Sequence, residues 1–153
     1  MKTNLGIILL SIFMCITGYL LEYKPNPQEI IEIRKDSLDL SLLELNKDNF
    51  IFVCHYYEID YPEIVYAQAQ LESGRFTSKV YKDNNNFLGL YNSKTKSYYH
   101  FNHWTHCLKG YKDFVQSKWD GNEDYYEFLL KLPYAVDPNY LSKIKRIAND
   151  GRN

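Results

Sequence analysis

Residues 60–74 read Asp-Tyr-Pro-Glu-Ile-Val-Tyr-Ala-Gln-Ala-Gln-Leu-Glu-Ser-Gly, and the reading of this stretch decides the fold. Asp60 stands where an N-cap belongs, with Glu63 as the far half of a capping box and Ile59 and Ile64 as a hydrophobic staple. Pro62 falls in the first turn, where a missing N–H is no loss. Gly74 can supply a left-handed cap at the other end. Between these signals Ile64, Val65, Tyr66, Ala67, Ala69 and Leu71 are apolar nearly all round, the pattern of a helix buried on most sides. The segment is expected as a central helix.

Its last turn carries Glu72. The partial negative charge of a helix C-terminus and burial among apolar neighbours both disfavour an ionised carboxylate. A carboxylic acid that keeps its proton near neutral pH is the group that protonates a leaving sugar oxygen. The competing reading is an exposed glutamate on an ordinary helix end.

Outward from this helix, four segments repeat apolar residues at helical spacing. They are Phe50, Val53, Cys54 and Tyr57; Trp104, Leu108, Tyr111 and Val115, widened by Cys107 and Phe114; Tyr125, Phe128, Leu129 and Leu132; and Leu141, Ile144, Ile147 and Ala148. Val80 to Phe101 carries loop and strand signals instead. Lys82 to Asn86 is a polar, turn-rich run, and Phe87–Tyr91 and Ser97–Phe101 are short aromatic runs that predict a small hairpin or β-lobe. The expected fold is α+β, mainly α, over residues 48–149, with 150–153 as a tail.

The N-terminus reads differently. Lys2 precedes an uncharged, apolar run over residues 3–21. Such a run fits a secretory signal, and it is close to the ~20 residues a membrane helix needs. Residues 1–20 are therefore expected as a signal peptide or membrane anchor helix. Cys15 invites a lipoprotein reading, but Phe13 and Met14 stand where lipidation signals want small residues. Residues 21–47 read as a spacer, with a short helix expected over Gln28–Lys35. Either way the remainder is expected to be exported, to the periplasm, the cell envelope or beyond.

Composition narrows the function. The net charge is −1 with no basic stripe, which excludes a nucleic-acid partner on electrostatic grounds. The chain has 15 Tyr, 8 Phe and 2 Trp. Most of these fill a core, while a tyrosine in a pocket offers a flat face for a sugar ring and a hydroxyl for its hydroxyls. Cys54 and Cys107 could pair in an oxidising compartment or remain two buried thiols. His100, His103, His106 and Cys107 cluster, and His103 and Cys107 share a helix face at a spacing that could hold zinc. However, Cys107 also belongs to the apolar stripe of Trp104, and only Cys54 and His55 offer themselves from elsewhere. No metal site and no cofactor are expected, and the sequence carries no signal for oligomeric state.

The run Ala67-Gln68-Ala69-Gln70-Leu71-Glu72-Ser73-Gly74, the turn Asn84-Asn85-Asn86 with Phe87-Leu88-Gly89-Leu90, and Tyr134-Ala135-Val136-Asp137-Pro138-Asn139-Tyr140 together resemble bacterial endo-β-N-acetylglucosaminidases. These are the flagellar-hydrolase and autolysin type, glycoside hydrolase family 73. The resemblance spans roughly Asp48 to Asn149. It implies a lysozyme-like domain in which Glu72 is the general acid and Tyr134 lies near the sugar at the cleaved bond. The implied substrate is peptidoglycan, cut after N-acetylglucosamine. Asn85, Asn86, Phe87, Tyr91 and Tyr140 are the expected substrate contacts, although Asn85 and Asn86 equally suit a turn. Asp137 and Pro138 have a structural reading, as N-cap and first residue of the final helix.

Two departures from the family pattern stand out. The family usually reads Asn-Asn-Leu-Phe-Gly, whereas Phe87 and Leu88 occur in exchanged order; on a strand this would flip the aromatic ring to the other face. Many members also carry a second acid in the β-lobe, whereas no Asp or Glu lies between Asn84 and Lys112. Three readings follow: the substrate's acetamide attacks in place of a carboxylate, with Tyr134 orienting it; Asp83 reaches the cleft as second acid; or the domain binds cell-wall glycan without cutting it. Muramidase or lytic transglycosylase action on the same polymer, and an anchored role in a secretion or conjugation apparatus, are the remaining alternatives.

Overall fold

Helical periodicity translates into helices wherever it was strong. The computed structural model describes residues 38–132 and 137–150. The signal or anchor over 1–20, residues 21–37 of the spacer expected over 21–47, with its short helix, and Tyr134 lie outside the described residues. The chain divides after Leu38, and every element below belongs to the unit from Asp39 onward. Its elements are α1 (Lys47–Tyr56), α2 (Pro62–Glu72), α3 (Lys79–Asn84), β1 (Tyr91–Asn92), β2 (Ser97–Tyr98), α4 (Trp104–Phe114), α5 (Tyr125–Leu130) and α6 (Tyr140–Asp150). Single 3-10 turns cover Leu40–Leu42 and Gln116–Lys118. Among the described residues the fold is thus mainly helical α+β, with one two-stranded antiparallel sheet pairing Tyr91 with Tyr98 and Asn92 with Ser97.

The helices assemble around α2, which packs against α1 on one side and α6 on the other. Phe50, Val53 and Cys54 of α1, Val65, Ala67 and Ala69 of α2, Cys107, Leu108 and Tyr111 of α4, Leu129 and Ile144 are fully enclosed. Phe50 is the aromatic hub: its ring meets Tyr66 edge-on at 4.9 Å, Phe87 at 5.6 Å and Trp104 at 6.4 Å. Such pairs each add about 0.5–1.5 kcal/mol beyond the area they bury. Phe114, expected to widen the α4 stripe, instead lies largely exposed and stacks on Tyr99 at 4.9 Å. Cys54 and Cys107 are both free and buried. Burial pushes the Cys107 thiol up to about 12 and raises that of Cys54 as well.

Local signals misplace two starts and miss one helix. Asp60 does not cap α2. The N-cap is Tyr61, in left-handed backbone at φ +54° with no side-chain cap, and Pro62 follows at the first helical position. Asp60 is held from elsewhere: its N–H donates to Gln116 Oε1 at 2.9 Å and its carbonyl accepts from Gln116 Nε2 at 2.9 Å. At the far end, α6 begins at Tyr140, after Asp137 has accepted the Asn139 N–H at 2.8 Å and paired with Lys143. The missed helix is α3, hidden in the polar run: Ser78 caps the Tyr81 N–H at 3.2 Å, Lys79 pairs with Asp83 at 2.6 Å, and left-handed Asn85 ends it.

The β-lobe is smaller than its aromatic runs predicted, because Phe87 to Leu90 is a buried turn and not a strand. The exchange of Phe87 and Leu88 is absorbed there, since both side chains enter the core. Asn86 ties the two runs of the lobe to each other, and the Phe101 ring, which fills the space a Cβ at Gly110 would need, packs the lobe on α4.

Candidate active site

The end of α2 is where unusual backbone and a titratable side chain coincide. The helix closes with Gly74 at φ +58°: the Gly74 N–H donates to Leu71 O at 3.3 Å and the Arg75 N–H to Gln70 O at 2.6 Å. This double closure is the Schellman motif the glycine predicted. The left-handed conformation then continues through Arg75 (φ +59°) and Phe76 (φ +62°), which carry a side-chain penalty that glycine escapes. Ser73 holds the turn: its hydroxyl donates to Ala69 O at 2.5 Å and accepts from the Phe76 N–H at 2.7 Å. The Phe76 ring thereby joins Tyr66, Tyr81 and Phe87. Backbone strain of this kind gathers at functional sites.

Glu72 occupies the turn before it, half-buried. Burial pushes its carboxyl above the ordinary glutamate value, and a hydrogen bond donated by Tyr140 pulls part of the way back. Tyr140 was expected to touch substrate. It is only 3% exposed at the start of α6, where its hydroxyl meets Gln68 of α2 at 3.1 Å, so it is enclosed and not open to a ligand.

Behind Tyr140 runs a set of buried polar groups that sequence reasoning did not pick out. Gln68, on α2 and fully enclosed, donates from Nε2 to Tyr140 Oη at 3.1 Å and accepts at Oε1 from Tyr111 Oη at 2.8 Å. Tyr111 meets Tyr125 Oη at 2.8 Å, and Gln116 Nε2 donates to Tyr125 at 3.0 Å. Gln116 is the residue that grips Asp60. No buried side-chain nitrogen or oxygen among the described residues lacks a partner, as an enclosed polar network requires. The available sequence signal was Gln68 itself, a polar side chain on the inward face of an apolar helix.

The other expected site residues are engaged in contacts of their own. Asn86 is 1% exposed and spent on backbone: Nδ2 donates to Leu90 O at 2.8 Å and Tyr99 O at 2.9 Å, and Oδ1 accepts the Leu90 N–H at 2.9 Å. Phe87 is enclosed in the core. Neither is placed to touch a ligand; both shape the lobe. Asn85 ends α3 and donates to Phe101 O at 2.9 Å. Asp83 sits on the exposed face of α3 with its carboxylate on Lys79. Tyr91 is 52% exposed, edge-on to Tyr98 at 5.3 Å. It lines a groove of about 920 Å³ with Asn92, Tyr98, Tyr99, Phe114 and Lys118, and Glu72 is not among the lining residues. His103 caps α4, its ring against the Thr105 hydroxyl at 3.0 Å, while Cys107 faces the core.

The structure therefore couples Tyr140 to Glu72, engages Asp83 with Lys79, and sets Tyr91 in a groove that Glu72 does not line. A model of the family described as mannosyl-glycoprotein endo-beta-N-acetylglucosaminidase matches residues 47–152. No curated protein and no solved structure matches the chain.

Proposed function

Since the chain belongs to the mannosyl-glycoprotein endo-beta-N-acetylglucosaminidase family of glycan hydrolases, we propose that it hydrolyses the glycan strand of peptidoglycan after N-acetylglucosamine, with Glu72 as general acid. The observation that carries this is a half-buried carboxyl at a strained helix end, held above the ordinary glutamate value by burial. Such a group still holds a proton where an ordinary glutamate has lost it, and it can protonate the glycosidic oxygen as the bond to the anomeric carbon breaks.

The attacking group is the substrate's own acetamide. No Asp or Glu lies between Asn84 and Lys112, and Asp83 is engaged with Lys79 on an exposed face. The acetamide oxygen bonds the anomeric carbon as the leaving oxygen takes the Glu72 proton. Water then opens the resulting ring, and the Glu72 carboxylate takes the proton that water gives up, which restores the acid. Family resemblance assigns Tyr134 the orientation of that acetamide. The N-terminal apolar run supports export of the enzyme to the cell envelope, with residues 1–20 cleaved or kept as an anchor.

The missing lobe carboxylate favours one second reading, a module that binds wall glycan without cutting it. Digestion of purified peptidoglycan by the chain and by Glu72→Gln, with fragment ends identified by mass spectrometry, separates these. New reducing N-acetylglucosamine ends from the parent alone support the proposal. Muramic or anhydro ends make it a muramidase or a lytic transglycosylase. No cleavage, with retention on wall material, leaves the binding module.

A further inference from the structure

We propose that the buried hydrogen-bond chain Gln116–Tyr125–Tyr111–Gln68–Tyr140 positions the Glu72 carboxyl, so that Gln68, Tyr111 and Tyr125 serve the reaction without touching substrate. The inference rests on Glu72 being the acid, and it adds how that acid is aimed.

The donors run in one direction. Gln68 Oε1 can only accept, so it takes the single hydroxyl hydrogen of Tyr111. The Tyr111 oxygen must then accept from Tyr125, whose own oxygen accepts from Gln116 Nε2. On the other side Gln68 Nε2 donates to the Tyr140 oxygen, which leaves the Tyr140 hydrogen for Glu72. Lys112 Nζ stands 3.2 Å from Gln116 Oε1, so a cation heads the chain and a carboxyl ends it. Bonds aligned this way polarise one another, by roughly 10–30% per bond. The opposite orientation of the Gln68 amide would draw the Tyr140 hydrogen away from Glu72.

Two consequences follow for the acid. One carboxyl oxygen is committed to accepting from Tyr140, so the acidic proton resides on the other, which fixes its direction of delivery. The chain also favours the ionised form and so opposes burial. Of the helices packed against α2, α1 carries Lys47, Asp48 and His55 and α6 carries Lys143, Lys145, Arg146 and Asp150, while α2 itself carries Glu63. Among these and Tyr140, Tyr140 is the group that acts on the carboxyl.

The test is a carbon-13 NMR titration of Glu72 in the full chain, assigned with Glu72→Gln and repeated in Tyr125→Phe, Tyr111→Phe and Gln68→Leu. Each variant is expected to titrate at higher pH than the parent, most for Gln68→Leu and least for Tyr125→Phe. With peptidoglycan, kcat is expected to fall about tenfold in Gln68→Leu at unchanged KM, less than the about 100-fold or more that general acid catalysis contributes, because the carboxyl itself stays in place. The basic limb of the pH profile moves up with the NMR value. The tyrosine variants remove one oxygen each and keep the test alive if Gln68→Leu does not fold. A folded Tyr111→Phe and Tyr125→Phe in which Glu72 titrates as in the parent overturns the proposal. A parent that never cuts peptidoglycan, with Glu72 still following the chain, sinks the hydrolase reading and leaves the positioning chain standing.

Discussion

The two ends of α2 both leave ordinary backbone, and they are held by opposite means. At the entry, left-handed Tyr61 has no side-chain cap of its own, and support comes from a residue 56 positions away: Gln116 takes both polar groups of the Asp60 peptide. The Tyr61 ring lies on Tyr125 at 4.7 Å and meets Trp119 at 5.4 Å. At the exit, support is local: Gly74, Ser73 and Thr77 close the turn within a few residues. An end held from afar ties the fold together. An end closed by its own neighbours leaves its last side chain, Glu72, outside the closure.

Damage at the two ends should therefore show in different measurements. The largest effect is expected from Glu72→Gln, which should lower the rate of glycan cleavage by about 100-fold or more. The same variant should be more stable than the parent. Burial raises the folded-state pKa of Glu72 above its unfolded value, so the native state binds more protons across that interval and the fold loses stability as pH rises through it. Glutamine carries no such loss. Thermal unfolding should thus be equal near pH 4 and a few degrees higher for the variant at pH 7.5; a lower melting temperature at pH 7.5 would break the assignment.

Gln116→Leu attacks the other end. It removes the partner of the Asp60 N–H and carbonyl and of the buried Tyr125 hydroxyl. Because Asp60 is exposed, water takes up part of the deficit, and urea unfolding should show a loss of about 1–3 kcal/mol. A loss well under that range would mean that Tyr61 stacking, and not Gln116, holds the entry. Gly74→Ala should cost about 1 kcal/mol, because the left-handed position penalises a Cβ although the nearest side-chain atom, Thr77 Oγ1, is 3.4 Å away. The smallest effect is expected from Asp83→Asn: an exposed pair on α3 should leave both melting temperature and turnover near parental values. Loss of turnover there would restore Asp83 as the second acid, with a matching acidic limb in the pH profile.

What could be read ahead of the structure follows the range of the forces involved. The α1, α4, α5 and α6 faces were legible because apolar spacing is local, and Gly74 because one backbone position demands it. The start of α2 was misread although Asp60, Glu63 and Ile59 all agreed, since a clamp from Gln116 outweighs a capping box and leaves no local trace. Helix α3 was missed because six residues held by one cap and one ion pair look like a turn. Glu72 is proposed as the acid from physics joined to family resemblance. Its partner Tyr140 was misassigned to substrate, because a tyrosine's burial depends on what packs over it. Gln68, Tyr111 and Tyr125 sit on three different helices, and only the folded chain makes them neighbours.

The enclosed thiols of Cys54 and Cys107 carry a last consequence, for oxidation. Only thiolates react readily, and burial holds both groups in the unreactive form, out of reach of oxidant. The native fold is thus what keeps this pair reduced. Covalent dimers bridged through either sulfur in a non-reducing gel would count molecules that had opened, and their abundance would measure failure to fold.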